Sequence, residues 1–93
     1  MAVLMRSETK GVSAEQIVPF ITQIHEQMKA FPGFIAQAFG PTPGGYEVTE
    51  VWETQEAHER WVREVVAPMA AQQLGMTQAP SSQYEPLDGF VTR

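Results

Sequence analysis

Few side chains in this 93-residue sequence can move a proton or hold an aromatic ligand: two His, two Tyr, two Trp and eleven acids, with no Cys among them. One grouping stands out. Tyr46, Val48, Glu50 and Trp52 alternate along a segment of period two and so share one face of a strand. His58 follows on a segment of helical period, where a wheel puts it in the apolar half with Ala57, Trp61, Val62, Val65, Val66 and Met69. An imidazole in such a place acts as a general base toward a phenol or enol, given a carboxylate to orient it. Glu50 supplies that carboxylate if it also faces the helix. The plainer reading makes His58 a core residue bonded to a backbone carbonyl and Glu50 a charge at a sheet edge or interface.

The same weighing applies to the other candidates. Trp52 offers a flat surface for stacking on an aromatic ligand, or simply fills core. Phe20 and Ile24 lie on the apolar stripe of the first helix, with His25 at its margin, and are expected to line a binding pocket together with Tyr46. A rim position is the default for His25; Tyr46 and Tyr84 are candidate hydroxyl donors in the pocket or interface, with packing as the default. Arg6 holds an anionic substrate only if it points inward, against the usual solvated guanidinium.

Other chemistries find no support. Without Cys there is no disulfide framework, thiolate nucleophile or zinc–thiolate site, and the spacing of His25 and His58 makes no metal motif. Gly44-Gly45 lies between two strand-like segments rather than opening a helix, so no phosphate cradle is expected. No cofactor and no metal are therefore expected. Six basic against eleven acidic residues give a net charge of −5 and a field that repels phosphate backbones and anionic membranes. The start Met1-Ala2-Val3-Leu4-Met5-Arg6 lacks the basic region and apolar core of a signal peptide, and no run approaches the ~20 apolar residues of a membrane span. A cytoplasmic protein is the expectation.

The elements that must position these residues are well punctuated. A strand is expected over Val3 to Glu8, then a helix over about Ala14 to Ala30. Ser13 and Gln16 form a capping box at its start, and Val12 and Ile17 a hydrophobic staple. Pro19 in the second turn suggests local widening, and Phe31-Pro32-Gly33 a stop. Strands over Phe34 to Phe39 and Tyr46 to Glu53 flank an irregular Gly40–Gly45 loop and make an antiparallel hairpin. Thr54 caps a second helix over about Gln55 to Ala67, kinked or restarted at Pro68 and finished at Gly75. A loop over Met76 to Ser82 and a last strand within Gln83 to Thr92 complete the chain.

This order, βαββαβ, predicts an α+β ferredoxin-like arrangement: a four-stranded antiparallel sheet with both helices on one face, in a single domain spanning residues 1–93. The other face is open, and any apolar side chains on it need a partner. A second copy is the simplest one.

Three segments then carry a resemblance: Pro32-Gly33-Phe34, Gly40-Pro41-Thr42-Pro43-Gly44-Gly45-Tyr46 and Val51-Trp52-Glu53-Thr54-Gln55-Glu56-Ala57-His58. The chain from Val3 to about Gly75 resembles the antibiotic biosynthesis monooxygenase-like family of dimeric α+β barrels, most sharply between Gly44 and Ala57. The resemblance implies a homodimer closed through the sheets, with a pocket between sheet and helices in each subunit. It also implies either cofactor-free oxidation of polycyclic phenols to quinones or, in other members, haem degradation. Quinone-forming members place Asn four residues before the strand Trp and Tyr six after it; here Trp52 is flanked by Val48 and His58. Haem degraders place an iron-ligating His ten residues after that Trp; here the position is Val62. The expected function is a cofactor-independent monooxygenase or tailoring enzyme acting on an aromatic or polyketide-like small molecule. His58 and Glu50 would be catalytic, with Trp52, Tyr46, Phe20, Ile24 and His25 around the substrate. The alternative is a non-catalytic, small-molecule-binding or stress-associated dimer.

Overall fold

A computed structural model describes residues 1–75 and 81–92. Its elements are β1 (Val3–Lys10), α1 (Ala14–Ala30), β2 (Phe34–Thr42), β3 (Gly45–Trp52), α2 (Gln55–Trp61), a π-helical turn (Val62–Val66), α3 (Ala67–Gln73) and β4 (Ser82–Pro86). The sheet is antiparallel throughout, in the order β2-β3-β1-β4. That is the expected ferredoxin-like arrangement. Residues 76–80 of the loop expected over Met76–Ser82 lie outside the described residues.

α1 forms because its apolar residues recur at helical spacing; Ile17, Phe20, Ile21, Ile24 and Met28 are all buried. At its start the Ser13 amide donates to Gln16 Oε1 at 3.0 Å, the reach-back half of the capping box. The widening expected at Pro19 does not occur, and α1 runs unbroken. Pro19 and Glu15, four residues before it, are both exposed, so the carbonyl that Pro19 leaves without a donor lies on the solvent side of the helix.

The hairpin differs more. Its strands extend to Thr42 and from Gly45, leaving only Pro43-Gly44 as the turn, where the loop was expected to take six residues. Gly44 has φ +81°, and Pro followed by such a Gly is the residue pair of a type II turn. Pro41 does not interrupt β2 because β2 is an edge strand and needs amides on one side only. Near its start β2 carries a register shift between Phe34 and Ala36.

That bulge sets the sheet's inner rows. Phe34, Trp52, Val3 and Pro86 are paired across the four strands, and Met5 pairs with both Glu50 and Tyr84 while Gln37 pairs with Glu50. Gln37, Glu50, Met5 and Tyr84 thus form one row beneath the helices. On the outer face the corresponding rows run Ala36, Val51, Leu4, Glu85 and Ala38, Thr49, Arg6, Gln83.

After α2, the expected disturbance at Pro68 takes the form of a π turn, closed by the Ala67 amide on the Val62 carbonyl. Pro68 has no amide and its ring crowds the carbonyl four residues back; widening the preceding turn relieves both. α3 then continues to Gln73, and Gly75, at φ +67°, follows its last turn.

Candidate functional site

Between α1, the α2 to α3 segment and the inner sheet face lies a cavity of about 100 Å³. Its walls are largely apolar: Phe20, Ile24 and Met28 from α1, Met5 and Val48 from the sheet, Trp61, Val62 and Val66 from the helical segment. Polar groups enter in one place, where Gln37, Glu50 and His58 line it together; Ser7, Thr9 and Ser82 are also in the wall and partly exposed. Among the described residues no Lys or Arg lines it.

The Glu50 carboxyl is the most constrained group of the site. It is 4% exposed; Trp52 Nε1 donates to its Oε1 at 2.8 Å and Gln37 Nε2 to its Oε2 at 2.8 Å. Burial pushes this carboxyl above the usual range, and the two donors pull it back. His58, 3% exposed, sets Nε2 at 3.6 Å from Glu50 Oε1, too long for a good hydrogen bond, and Nδ1 at 2.8 Å from the Tyr84 hydroxyl. Burial lowers the imidazole to about 4, against the opposing pull of the Glu59 charge; a charged Glu50 pulls the same way as Glu59. His58 is neutral at pH 7. Tyr84 is shifted upward, first by burial and then by Glu59, so its hydroxyl keeps its hydrogen.

The two residues expected to be catalytic, His58 and Glu50, thus meet at the cavity. Phe20, Ile24 and Tyr46 line it as well. Trp52 requires a correction. It is wholly buried, and Phe31, Phe34, His58 and Trp61 surround its ring at centroid distances of 6.2, 5.5, 5.5 and 6.3 Å. No ring face is left for a ligand, and Trp52 acts instead through its N–H on Glu50. His25 is a second correction: it is exposed and absent from the cavity wall, being one position past the buried Ile24 on α1. Arg6 lies on the outer face, 3.8 Å from Glu85.

The sequence does not single out Gln37, and it offers Tyr84 as a hydroxyl donor only as second choice to packing; the structure puts that hydroxyl on His58. Period-two counting from Phe34 puts Gln37 on the outer face; only the bulge turns it inward, and nothing in the residue types announces that bulge. The Tyr84 contact depends on β4 joining the β1 edge, a pairing no local pattern encodes.

No family model matches this chain, and no curated protein matches it in sequence. Among solved structures, a putative antibiotic biosynthesis monooxygenase from Bordetella bronchiseptica superposes with a TM-score of 0.73 at 13% identity, over 92% of this chain and 96% of that one. A cofactor-independent oxygenase from Streptomyces nogalater gives 0.68 at 12% identity, over 99% and 97%. This chain has their fold. A heme-degrading protein from Mycobacterium tuberculosis shares it too, with a TM-score of 0.61 at 21% identity over 99% and 100%. The structural neighbours thus include the group that the Gly44 to Ala57 run resembles, and they differ among themselves in chemistry.

Haem itself does not fit this cavity. Val62 carries no ligating atom, both His58 nitrogens face Tyr84 and Glu50, and about 100 Å³ is far too little for a tetrapyrrole. Among the described residues no three His, Cys, Asp or Glu side chains group as a metal site.

Proposed function

We propose that this chain is a cofactor-independent oxygenase that removes a proton from a neutral phenol or enol and lets the resulting anion react with dioxygen. The observation that carries the reading is the buried Glu50–His58 pair, 3.6 Å apart, in the wall of a largely apolar cavity. Buried titratable groups converging on a pocket are the signature of a site rather than of packing. The fold shared with a cofactor-independent oxygenase supports it.

The chemistry balances without a further reactant. The pair takes the hydroxyl proton, and the anion gives one electron to dioxygen. The radical and superoxide combine at a ring carbon, the pair returns its proton to the peroxide, and loss of water from the resulting hydroperoxide leaves the quinone, so that phenol plus dioxygen gives quinone plus water. The apolar wall keeps water from the anion, and the absence of a cationic side chain favours a neutral substrate. Pockets for drug-sized ligands are about 300 to 1,000 Å³. The cavity as it stands therefore accepts dioxygen or part of one ring, and a fused-ring substrate enters only if α1 and the π turn part.

Oxygen uptake and quinone formation with phenols of one to three rings test this. The wild type is expected to turn over at least one of them, with Glu50→Gln and His58→Ala about 10²- to 10⁴-fold slower. Equal uptake by wild type and both variants ends the proposal. The small cavity favours a second reading, a non-catalytic dimer, in which those substitutions move the melting temperature and no phenol is consumed. In either case hemin is expected to give no Soret shift.

A further inference from the structure

The hydrogens around Glu50 and His58 can be assigned one by one. A carboxylate has about four lone-pair positions, and an indole N–H only donates. Trp52 occupies one position on Oε1 and Gln37 one on Oε2. His58 Nε2 faces Oε1 at 3.6 Å, and a nitrogen turned toward an ionised carboxylate has to carry hydrogen, since two lone pairs repel. A neutral imidazole then has its lone pair on Nδ1, and the group 2.8 Å from Nδ1 is the Tyr84 hydroxyl. Its hydrogen must point at the ring. Glu59 acts on both residues by charge alone and has no hydrogen to offer, so it does not reverse this direction.

We infer that Tyr84 is a positioning residue: by donating to Nδ1 it holds His58 with Nε2–H toward Glu50, and leaves the remaining Oε2 lone pair of Glu50 as the proton acceptor of the cavity. The roles expected from the sequence are thereby exchanged. Glu50 takes the proton, becoming a neutral acid while the electron pair stays on the substrate; His58 steadies the carboxylate through the Nε2–H dipole that faces it at 3.6 Å. The sheet register supplies the geometry, since Glu50 and Tyr84 flank Met5 in one row and His58 reaches both from α2. The inference rests on the proton-abstraction reading for its consequence in catalysis, while the tautomer can be read without turnover.

Long-range ¹⁵N–¹H correlation of the His58 ring tests it in the whole protein. The wild type is expected to show Nε2 protonated and Nδ1 bare, and Tyr84→Phe a mixture of tautomers with kcat about tenfold lower, the weight of one buried hydrogen bond, at unchanged KM. His58→Gln, which keeps an N–H donor, should retain far more activity than His58→Ala. A wild-type ring protonated on Nδ1, a Tyr84→Phe ring identical to it, or equal loss in His58→Gln and His58→Ala overturns the inference. A wild-type ring of the expected tautomer with no phenol consumed upholds the positioning role and removes the oxygenase reading instead.

Discussion

Glu50 and His58 respond to burial in opposite directions, and this makes their effect on stability separable. His58 is lowered to about 4 when folded, against 6.5 ordinarily, so between those values the unfolded chain binds the extra proton and stability rises with pH. That contribution is complete above 6.5 and lost as pH falls toward 4. Glu50 is raised, so from the ordinary carboxylate range upward the folded chain holds the extra proton and stability falls with rising pH. A full proton of difference is worth about 1.4 kcal/mol per pH unit. In urea titrations across this window the two effects oppose each other in the wild type, so Glu50→Gln is expected to rise more steeply with pH than the wild type, and His58→Leu to lose that rise. Parallel curves for all three would show that the two groups are not buried together. The residue types of this pair, and its apolar setting, were legible in the sequence because alternation and the helical wheel act over a few residues. Its donors were not, since Gln37 and Tyr84 reach it through strand pairings 13 and 26 residues away in sequence.

At the scale of elements, the site depends on how tightly α2 sits on the end of β2. Gly33, at φ +93°, lets that approach happen: a Cβ there would stand 2.6 Å from the Ala57 Cβ. Gly33→Ala therefore combines backbone strain with a contact that neither helix nor strand can relax. It is expected to cost about 2 to 4 kcal/mol in denaturant unfolding, most of it through displacement of α2 and hence of His58. A cost under ~0.5 kcal/mol would mean that α2 shifts freely. The Pro32-Gly33 stop and the Thr54 cap were readable as punctuation, and the cap forms as expected, with the Ala57 amide donating to Thr54 Oγ1 at 3.1 Å. The π turn was readable only as a disturbance near Pro68, because residue types report a missing amide but not which neighbouring turn will widen to absorb it.

For the whole molecule, the open sheet face decides the state of assembly. Ala36, Val51 and Leu4 make an apolar run in the row that ends at Glu85, while Arg6, Glu8 and Glu47 lie in the rows beyond it. We propose that a second copy covers this face, as the sequence resemblance implies. Each copy carries a net charge of −5, so like charges oppose the pairing. Sedimentation velocity should then show the dimer strengthening as salt is raised to ~0.3 M, where the Debye length falls below 8 Å. A monomer at every salt concentration would leave the face to solvent. The overall fold was legible because the βαββαβ order leaves few topologies; pairing between copies belongs to no single chain's pattern.

The two-residue turn at Pro43-Gly44 has a consequence of a different kind. It fixes which β2 side chain answers Glu50, because pairing is regular from Thr42 opposite Gly45 back to Gln37 opposite Glu50. Removing Ala38 would leave every contributor to the site unmutated, yet hand the position opposite Glu50 to Ala36 and send the Gln37 amide to the far side of the sheet, whereas removing Ile35 would only close the bulge. In this fold the chemistry of the cavity is thus open to change by insertion and deletion within a strand, a route that a scan of single substitutions would never sample.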